Sequence, residues 1–445
     1  MKWSEEWLDN FKIRLSAGSM GNGNVDPYSY TSEMTVVTAS DIVLGGGLPS
    51  YTTVGSTVPV SLTWEKSTTY DLGLDLDFLN NRLSFSGDYY RRYTTDMYTA
   101  SVALPAVYGT GSPKGNNAEM KTDGWELSLS WRDSFKLGGK PFDYSIKAMV
   151  WDNRTVVTKY ENATRSLGTL KGYIQNGGSP SDFYEGMELG EMWGYTVAGL
   201  FRDQADIDSS ATHDFTQASD KVTRPGQVKI ADLDHNGNID PGAFTADDHG
   251  DLSIIGNINP HYMFGVNLAA NWNGIGLSVF LQGVMKRDWY PSPDSGYFWG
   301  KYARPFMWVL GIHNYTDDMY SEEKNNWDTA YWPRMTTYQS NSSYSWTKLL
   351  EIPNTRYKQN AAYLRVKNIQ VDYTFPKALC QKIRLGGLKI YLSGENLFTF
   401  TPLHKYAPNF DPEALGYDTD FSSTAGDGYT YPVLKSVTLG VNITF

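Results

Sequence analysis

Strict alternation of apolar and polar side chains constrains this chain more than any other feature. Residues 70–78 read YDLGLDLDF, with Leu72, Leu74, Leu76 and Phe78 at one parity and Asp71, Gly73, Asp75 and Asp77 at the other. An extended strand sorts these onto an apolar and a wet face, whereas a helix would scatter the leucines around its circumference. The turn signal Leu79-Asn80-Asn81 follows, then a second strand over 82–93, and the two form a hairpin. The unit recurs. Trp125, Leu127, Leu129 and Trp131 alternate within 124–132, ahead of the turn Leu137-Gly138-Gly139-Lys140 and a strand over 142–151. Residues 262–272 and 275–282 flank Asn273-Gly274, a strong hairpin dipeptide. Residues 362–375 lead through a Pro- and Gly-bearing turn to 388–397, and 434–445 close the sequence with Val437, Leu439, Val441, Ile443 and Phe445 on one face. A further strand is expected near 11–18, and 194–200 is a weaker one. The pattern predicts roughly ten to twelve strands, most of about nine to twelve residues, the length of a tilted crossing of a hydrocarbon layer.

The hairpin turns are short, while the segments 94–122, 152–261, 285–361 and 398–432 are long and rich in Gly, Pro, Ser, Asn, Tyr and Trp. Long structureless loops are uncommon in compact soluble domains. Short turns at one end and long loops at the other are the pattern of an outer-membrane barrel, with Tyr89, Tyr90, Trp125, Trp131, Trp151, Tyr262 and Trp272 placed to form its aromatic girdles. A sandwich or propeller shares the alternation but not this combination. The expected fold class is therefore all-β: a portion of an antiparallel transmembrane β-barrel with long extracellular loops.

Composition removes other classes. The chain has 445 residues, about three domains by a length of roughly 150 each, although large β architectures run longer as one unit. Aromatic residues make up 14%, too many for a disordered chain. No stretch approaches the roughly 18 apolar residues of a membrane helix. A net charge of −11 argues against nucleic acid as a partner. Cys380 is the single cysteine, and the six histidines show no zinc-ligand spacing. The opening MKWSEEWLDNFKIRL lacks the charged start and apolar core of a signal peptide, so a route out of the cell has to lie elsewhere.

Several stretches, in this order, resemble the SusC/RagA-like, TonB-dependent outer-membrane transporters. They are LTWEKSTTYDLGLDLDFLNNRLSFSGDYYRRYTTDM (62–97), Leu104-Pro105, TDGWELSLSWR (122–132), GQVKIADLDHNGNID (226–240) and IIGNINPHYMFGVNLAANWNGIGLSVFLQG (254–283). AAYLRVKNIQVDYTFP (361–376), GENLFTFTP (394–402), DPE (411–413) and YPVLKSVTLGVNITF (431–445) complete the set. The resemblance covers residues 5 to 445 and implies a barrel of about 22 strands with a plug in its lumen. It also implies outer-membrane import of oligosaccharide or peptide driven through TonB, a SusD/RagB-like surface lipoprotein as lid, and a complex of two transporters with two lids. Phe445 resembles the terminal signal read by barrel-assembly machinery. Against that pattern, residues 1–445 correspond to the C-terminal part of the barrel, with the plug, the TonB-contact segment and the early strands lacking. An open half-barrel leaves strand edges unpaired in lipid. The chain is then a fragment of a longer product, half of a pair whose other chain supplies the missing N-terminal half, or a smaller self-closing barrel; the first ranks highest. Lipid and lipopolysaccharide are expected around the wall. The alternatives to import are an anchoring or display barrel, a non-functional fragment, or a secreted β-rich glycan-binding protein.

Two loop regions carry candidate sites. Residues 232–240, DLDHNGNID, resemble the first nine positions of a calcium loop, with oxygen donors Asp232, Asp234 and Asn236 at positions 1, 3 and 5, Gly237 at 6, then Asn238 and Asp240. Position 12 is Ala243, where a bidentate Glu is expected; Asp247, Asp248 and Asp251 are the available substitutes. The competing reading is an Asx-rich turn bonded to its own backbone. The aromatic stretch 289–308 offers Trp289, Tyr290, Tyr297 and Trp299 for stacking on sugar rings, against packing of the loop on itself; Trp327, Tyr331 and Trp332 pose the same choice. No nucleophile elbow, P-loop or dinucleotide fingerprint is present, and no carboxylate pair is marked out, so an enzyme is not expected.

Overall fold

The computed structural model describes residues 7–23, 31, 34–40, 43–55, 62–100, 107, 114–167, 183–213, 223–291, 298, 318–334, 353–415 and 433–445. Ten long strands make one antiparallel sheet: β1 (Leu8–Asn22), β4 (Glu65–Phe78), β5 (Leu83–Ala100), β6 (Lys114–Leu137), β7 (Lys140–Lys159), β14 (His261–Trp272), β15 (Ile275–Lys286), β18 (Tyr363–Thr374), β19 (Gly387–Phe400) and β20 (Ser436–Thr444). They lie side by side in chain order, with β1 and β20 at the two edges, so the sheet is a wall rather than a closed cylinder. Shorter pieces occupy the connections: β2 (Met34–Thr38) with β3 (Ser50–Val54), β8 (Glu191–Tyr195) with β13 (Leu252–Asn257), β9 (Val197–Leu200) with β11 (Val228–Ile230), β10 (Thr212–His213) with β12 (Asn238–Ile239), and β16 (Asp288–Trp289) with β17 (Gln359–Asn360).

Register turns the alternation in sequence into two chemically distinct surfaces. Phe11, Leu76, Phe85, Leu129, Ala148, Val266, Leu281, Val366 and Phe398 oppose one another in turn across nine strands. One residue away, Asn10, Asp77, Ser84, Ser130, Lys147, Asn267, Phe280, Asn368, Glu395 and Ser436 form a row that is polar except for Phe280. Because the side-chain period is two, a one-residue slip would exchange these faces, so the apolar pattern itself fixes the register. The apolar face is open to its surroundings: Leu15, Leu439 and Phe400 are among many large exposed side chains on it. On β6 it runs from Phe135 to Trp125, broken only by Asp133 near the turn, which pairs with Arg82 at 3.5 Å; the ten residue steps make about 34 Å along the strand and about 26 Å at a tilt near 40°, the height of a barrel's lipid-facing band. Tyr262 beside Trp125 marks one border, and Phe135, Phe142 and Tyr144 pack together at the other.

The polar face pairs some of its charges. The Arg14 guanidinium lies 2.8 Å from Asp75 and 2.7 Å from Asp88, and Ser86 Oγ donates to Asp75 at 2.7 Å. At the short-turn end, Asn273 and Gly274 both adopt positive φ (49° and 89°), as a two-residue hairpin of the strand-matching twist requires. The turn after β18 contains a short helix, α2 (Lys377–Lys382), following α1 (Gln204–Asp208) in the connection between β9 and β10.

Candidate functional site

At the other end of the sheet the long connections fold onto one another and build a common core. Tyr195 opposes Leu252, and Trp193 opposes Ile254, across the β8–β13 pair. All five residues of β8 are buried, a fully covered strand without alternation. The Tyr331 and Tyr406 rings stack with centroids 3.6 Å apart, and Trp332 stacks on Tyr357 at 5.7 Å. Burial drives the Tyr331 and Tyr357 phenols well above the usual tyrosine range, so both are neutral packing groups at physiological pH.

The expected sugar-stacking aromatics divide. Trp289 and Tyr290 are buried in this core: Trp289 packs against Phe410 (5.0 Å) and edge-on to Phe298 (6.2 Å), and Tyr290 Oη accepts from Asn354 Nδ2 at 2.8 Å. Their ring faces are covered by other side chains rather than presented at the rim. Tyr297 and Trp299 lie outside the described residues. Trp332 is buried, while Trp327 is only partly so.

The segment 401–415 is held down by arginines that the sequence reading did not single out. Arg365, on the polar face of β18, has a side chain only 2% exposed. Its guanidinium lies 2.5 Å from both Asp411 and Glu413, and Nε donates to Thr399 Oγ1 at 2.9 Å. Lys367 Nζ reaches the Glu413 oxygens at 2.6 and 2.8 Å. Arg287, buried just beyond β15, donates to the carbonyls of Pro412 and Leu415, and burial pushes its pKa down to about 10, still charged at neutral pH. The sequence signal was present in part: two cations at alternate positions, Arg365 and Lys367, in an apolar strand, and the acidic run 411–413.

Between this module and the strand ends lies a cleft of about 610 Å³. It is lined by Asp152, Arg154, Glu188, His261, Lys286 and Asp288, among others. His261 Nδ1 is 2.8 Å from Asp152, Arg154 is 2.6 Å from Glu188 and Lys358 is 3.2 Å from Asp288, so several of its polar groups already engage one another.

The acidic turn is ordered by hydrogen bonds to its own backbone. Asp232 Oδ2 accepts from Gly237 N (3.0 Å), Asp234 Oδ1 from Asn236 N (3.0 Å) and Asn236 Oδ1 from Asn238 N (2.7 Å). Asp240 Oδ1 accepts from Gly242 N (2.7 Å), and Asn238 enters the short strand β12. Of the three candidate carboxylates, Asp232 and Asp234 come together, and the third member is Asp251: one oxygen from each lies within 4.8 Å of the others. Asn236 Nδ2 donates to Asp234 Oδ2 (3.0 Å) and to Asp240 Oδ2 (3.3 Å). Asp251 is fully buried and accepts from Leu233 N (2.6 Å) and Asp240 N (2.9 Å). Burial pushes its carboxyl up; the two backbone bonds oppose this, and the charges of Asp234 and Asp232 add to it.

Residues 3–223 match the family model described as TonB dependent receptor-like, beta-barrel. This chain belongs to the TonB-dependent receptor β-barrels. The TonB-dependent receptor P3 of Formosa agariphila is 26% identical over 449 residues, covering 98% of this chain and 40% of the relative. The TonB-dependent receptor SusC of Bacteroides thetaiotaomicron is 24% identical over 453 residues, covering 98% and 38%. Among solved structures, the RagAB peptide importer in its open-open state superposes with a TM-score of 0.68 at 20% identity, over 99% of this chain and 41% of that one. At that identity the likeness establishes the fold. This receptor chain spans about two fifths of the length of the curated relatives it matches. The family is one of receptors and transporters, not of enzymes.

Proposed function

We propose that this chain forms the C-terminal wall and the external loop module of an outer-membrane nutrient importer of a Gram-negative bacterium. The observation that carries the reading is the two-faced sheet, apolar outward over about 26 Å and polar inward, with a packed loop module confined to one end. Its relatives named as TonB-dependent receptors support TonB as the energy source, acting through a plug supplied in the same product or by a separate chain. The likeness to SusC and to RagAB supports a SusD/RagB-like lipoprotein over the loop module. The cargo is an oligomer, saccharide or peptide, taken up as a unit. Direct cargo contact by Trp289 or Tyr290 would require the loop core to open, so the polar wall and the rim cleft are the better first contacts.

The test is growth and uptake in the native host. Deleting the gene should abolish accumulation of one class of fluorescent oligosaccharide or oligopeptide, and an affinity tag on the chain should recover a plug-bearing polypeptide and a surface lipoprotein from outer membranes. A chain recovered alone from outer membranes, with uptake unaffected, would replace import by the anchoring or display reading.

A further inference from the structure

We propose that the helical turn between β18 and β19 is a docking patch for anionic phospholipid, seated among the headgroups of the leaflet at the short-turn end of the wall. The inference rests on the reading of the sheet as a membrane wall and adds a lipid class to it.

The turn sets basic and apolar side chains side by side in the open. Thr374 N donates to the carbonyl of Gly274 at 2.7 Å, which places this turn beside the Asn273-Gly274 hairpin. From Phe375 to Lys389 the sequence holds four cations and no carboxylate, in a chain whose net charge is −11. Lys389 is taken by Asp372 at 3.0 Å. Lys377, Lys382 and Arg384 are exposed, and among the described residues none of the three makes an ion pair. Leu379 and Ile383 stand one helical turn apart and are 47% and 57% exposed, while Cys380 between them is buried. Helix α2 therefore turns one flank to the protein and leaves a second apolar flank uncovered.

Two observations identify the cover. The first is continuity with the lipid-facing side. Helix α2 follows directly on Tyr373 and Phe375, whose rings pack at 4.9 Å. Tyr373 opposes Ile275 on one side and Ile390 on the other, and Ile390 opposes Val441, so the apolar face runs up to the foot of the helix. The second is charge. Apolar side chains flanked by unpaired Lys and Arg are the make-up of an interfacial segment: the former enter the acyl boundary, and the long basic stems carry their charge out to the phosphates. The neighbouring turn between β6 and β7 repeats the arrangement, with Leu137 exposed between Lys136 and Lys140. A zwitterionic surface would cover the leucine and isoleucine but offer the cations no net attraction, so an anionic headgroup is the better fit.

The experiment uses the receptor complex purified from its outer membranes and reconstituted in nanodiscs of phosphatidylcholine, alone or with about 30% phosphatidylglycerol. Hydrogen–deuterium exchange of the amides in 379–385 is read in both. Exchange should be about tenfold slower or more in the anionic discs, and high salt should remove the difference. The variant carrying Lys377→Gln, Lys382→Gln and Arg384→Gln together should exchange like the parent in phosphatidylcholine and lose the slowing in phosphatidylglycerol. Entry of the receptor into discs of either kind tests the membrane wall, whereas the comparison between the two tests the turn. Equal exchange in the two lipids, or a triple variant slowed like the parent, would overturn the assignment. Protection in isolated outer membranes that neither disc reproduces would also overturn it, by giving the flank to a protein partner.

Discussion

Replacing Arg365 with Met should release the segment 401–415 from the wall. The substitution keeps most of the side-chain volume but strands Asp411, whose side chain is 10% exposed, and removes one of the two cations on Glu413. Breaking a buried ion pair by removing one partner costs about 3–5 kcal/mol. The lower end applies, because Asp411 keeps backbone donors from Glu413 (3.0 Å) and Val433 (3.1 Å), and Glu413 keeps Lys367. A loss of about 3 kcal/mol raises the local opening constant on the order of a hundredfold. Hydrogen–deuterium exchange of the amides in 406–415 reads this directly. Lys367→Met is the internal comparison: its pair with Glu413 is more exposed, 20% and 27%, so about 1 kcal/mol and a few-fold faster exchange are expected. Equal exchange in Arg365→Met and Lys367→Met, or no change in either, would refute the reasoning.

Two further outcomes test other parts of the structure. Leu439→Arg on the apolar face of β20 should cost about 2–4 kcal/mol of insertion stability if it lies near mid-bilayer, while Thr438→Arg on the opposite face should be nearly neutral; refolding from urea into lipid vesicles measures both, and equal effects would contradict the face assignment. The raised Asp251 carboxyl means the folded turn binds more protons than the unfolded one just above the ordinary carboxylate range, so without divalent cations its stability should fall as pH rises through that window; exchange protection of 233–252 in EDTA that instead strengthens with pH would contradict this.

The wall was legible because each strand carries its own instruction. Leu72, Leu74 and Leu76 against Asp71, Asp75 and Asp77 specify both conformation and facing, and Asn273-Gly274 specifies the turn, without reference to distant residues. Strand lengths were less legible: β6 runs from Lys114 to Leu137, well beyond the alternating stretch 124–132, because backbone pairing continues above the level at which lipid demands apolar side chains. The loop module was opaque for a related reason. Residues 191–195 become a strand only because 252–257 arrive to pair with them, and α2 hides in a segment read as a plain turn. The same dependence moved Trp289 and Tyr290 indoors: their coverage comes from Phe298, Asn354 and Phe410, up to 121 positions away in the chain (410 − 289). In the acidic turn the nearness of Asp232 and Asp234 is plain from their spacing, while that Asp251 rather than Asp247 or Asp248 lies beside them emerges only on folding.

The shared core of the loop module bears on how such a receptor changes its taste. Trp193, Phe410 and the trio Trp289, Trp332 and Tyr357 come from three different connections yet fill one interior. A single connection exchanged with that of a relative would arrive without the neighbours that shape it, and the foreign piece would leave voids or clashes beneath the surface it was meant to alter. Recombination among these receptors should therefore succeed when several external segments travel together, and chimaeras built for new cargo should inherit the whole crown or none of it.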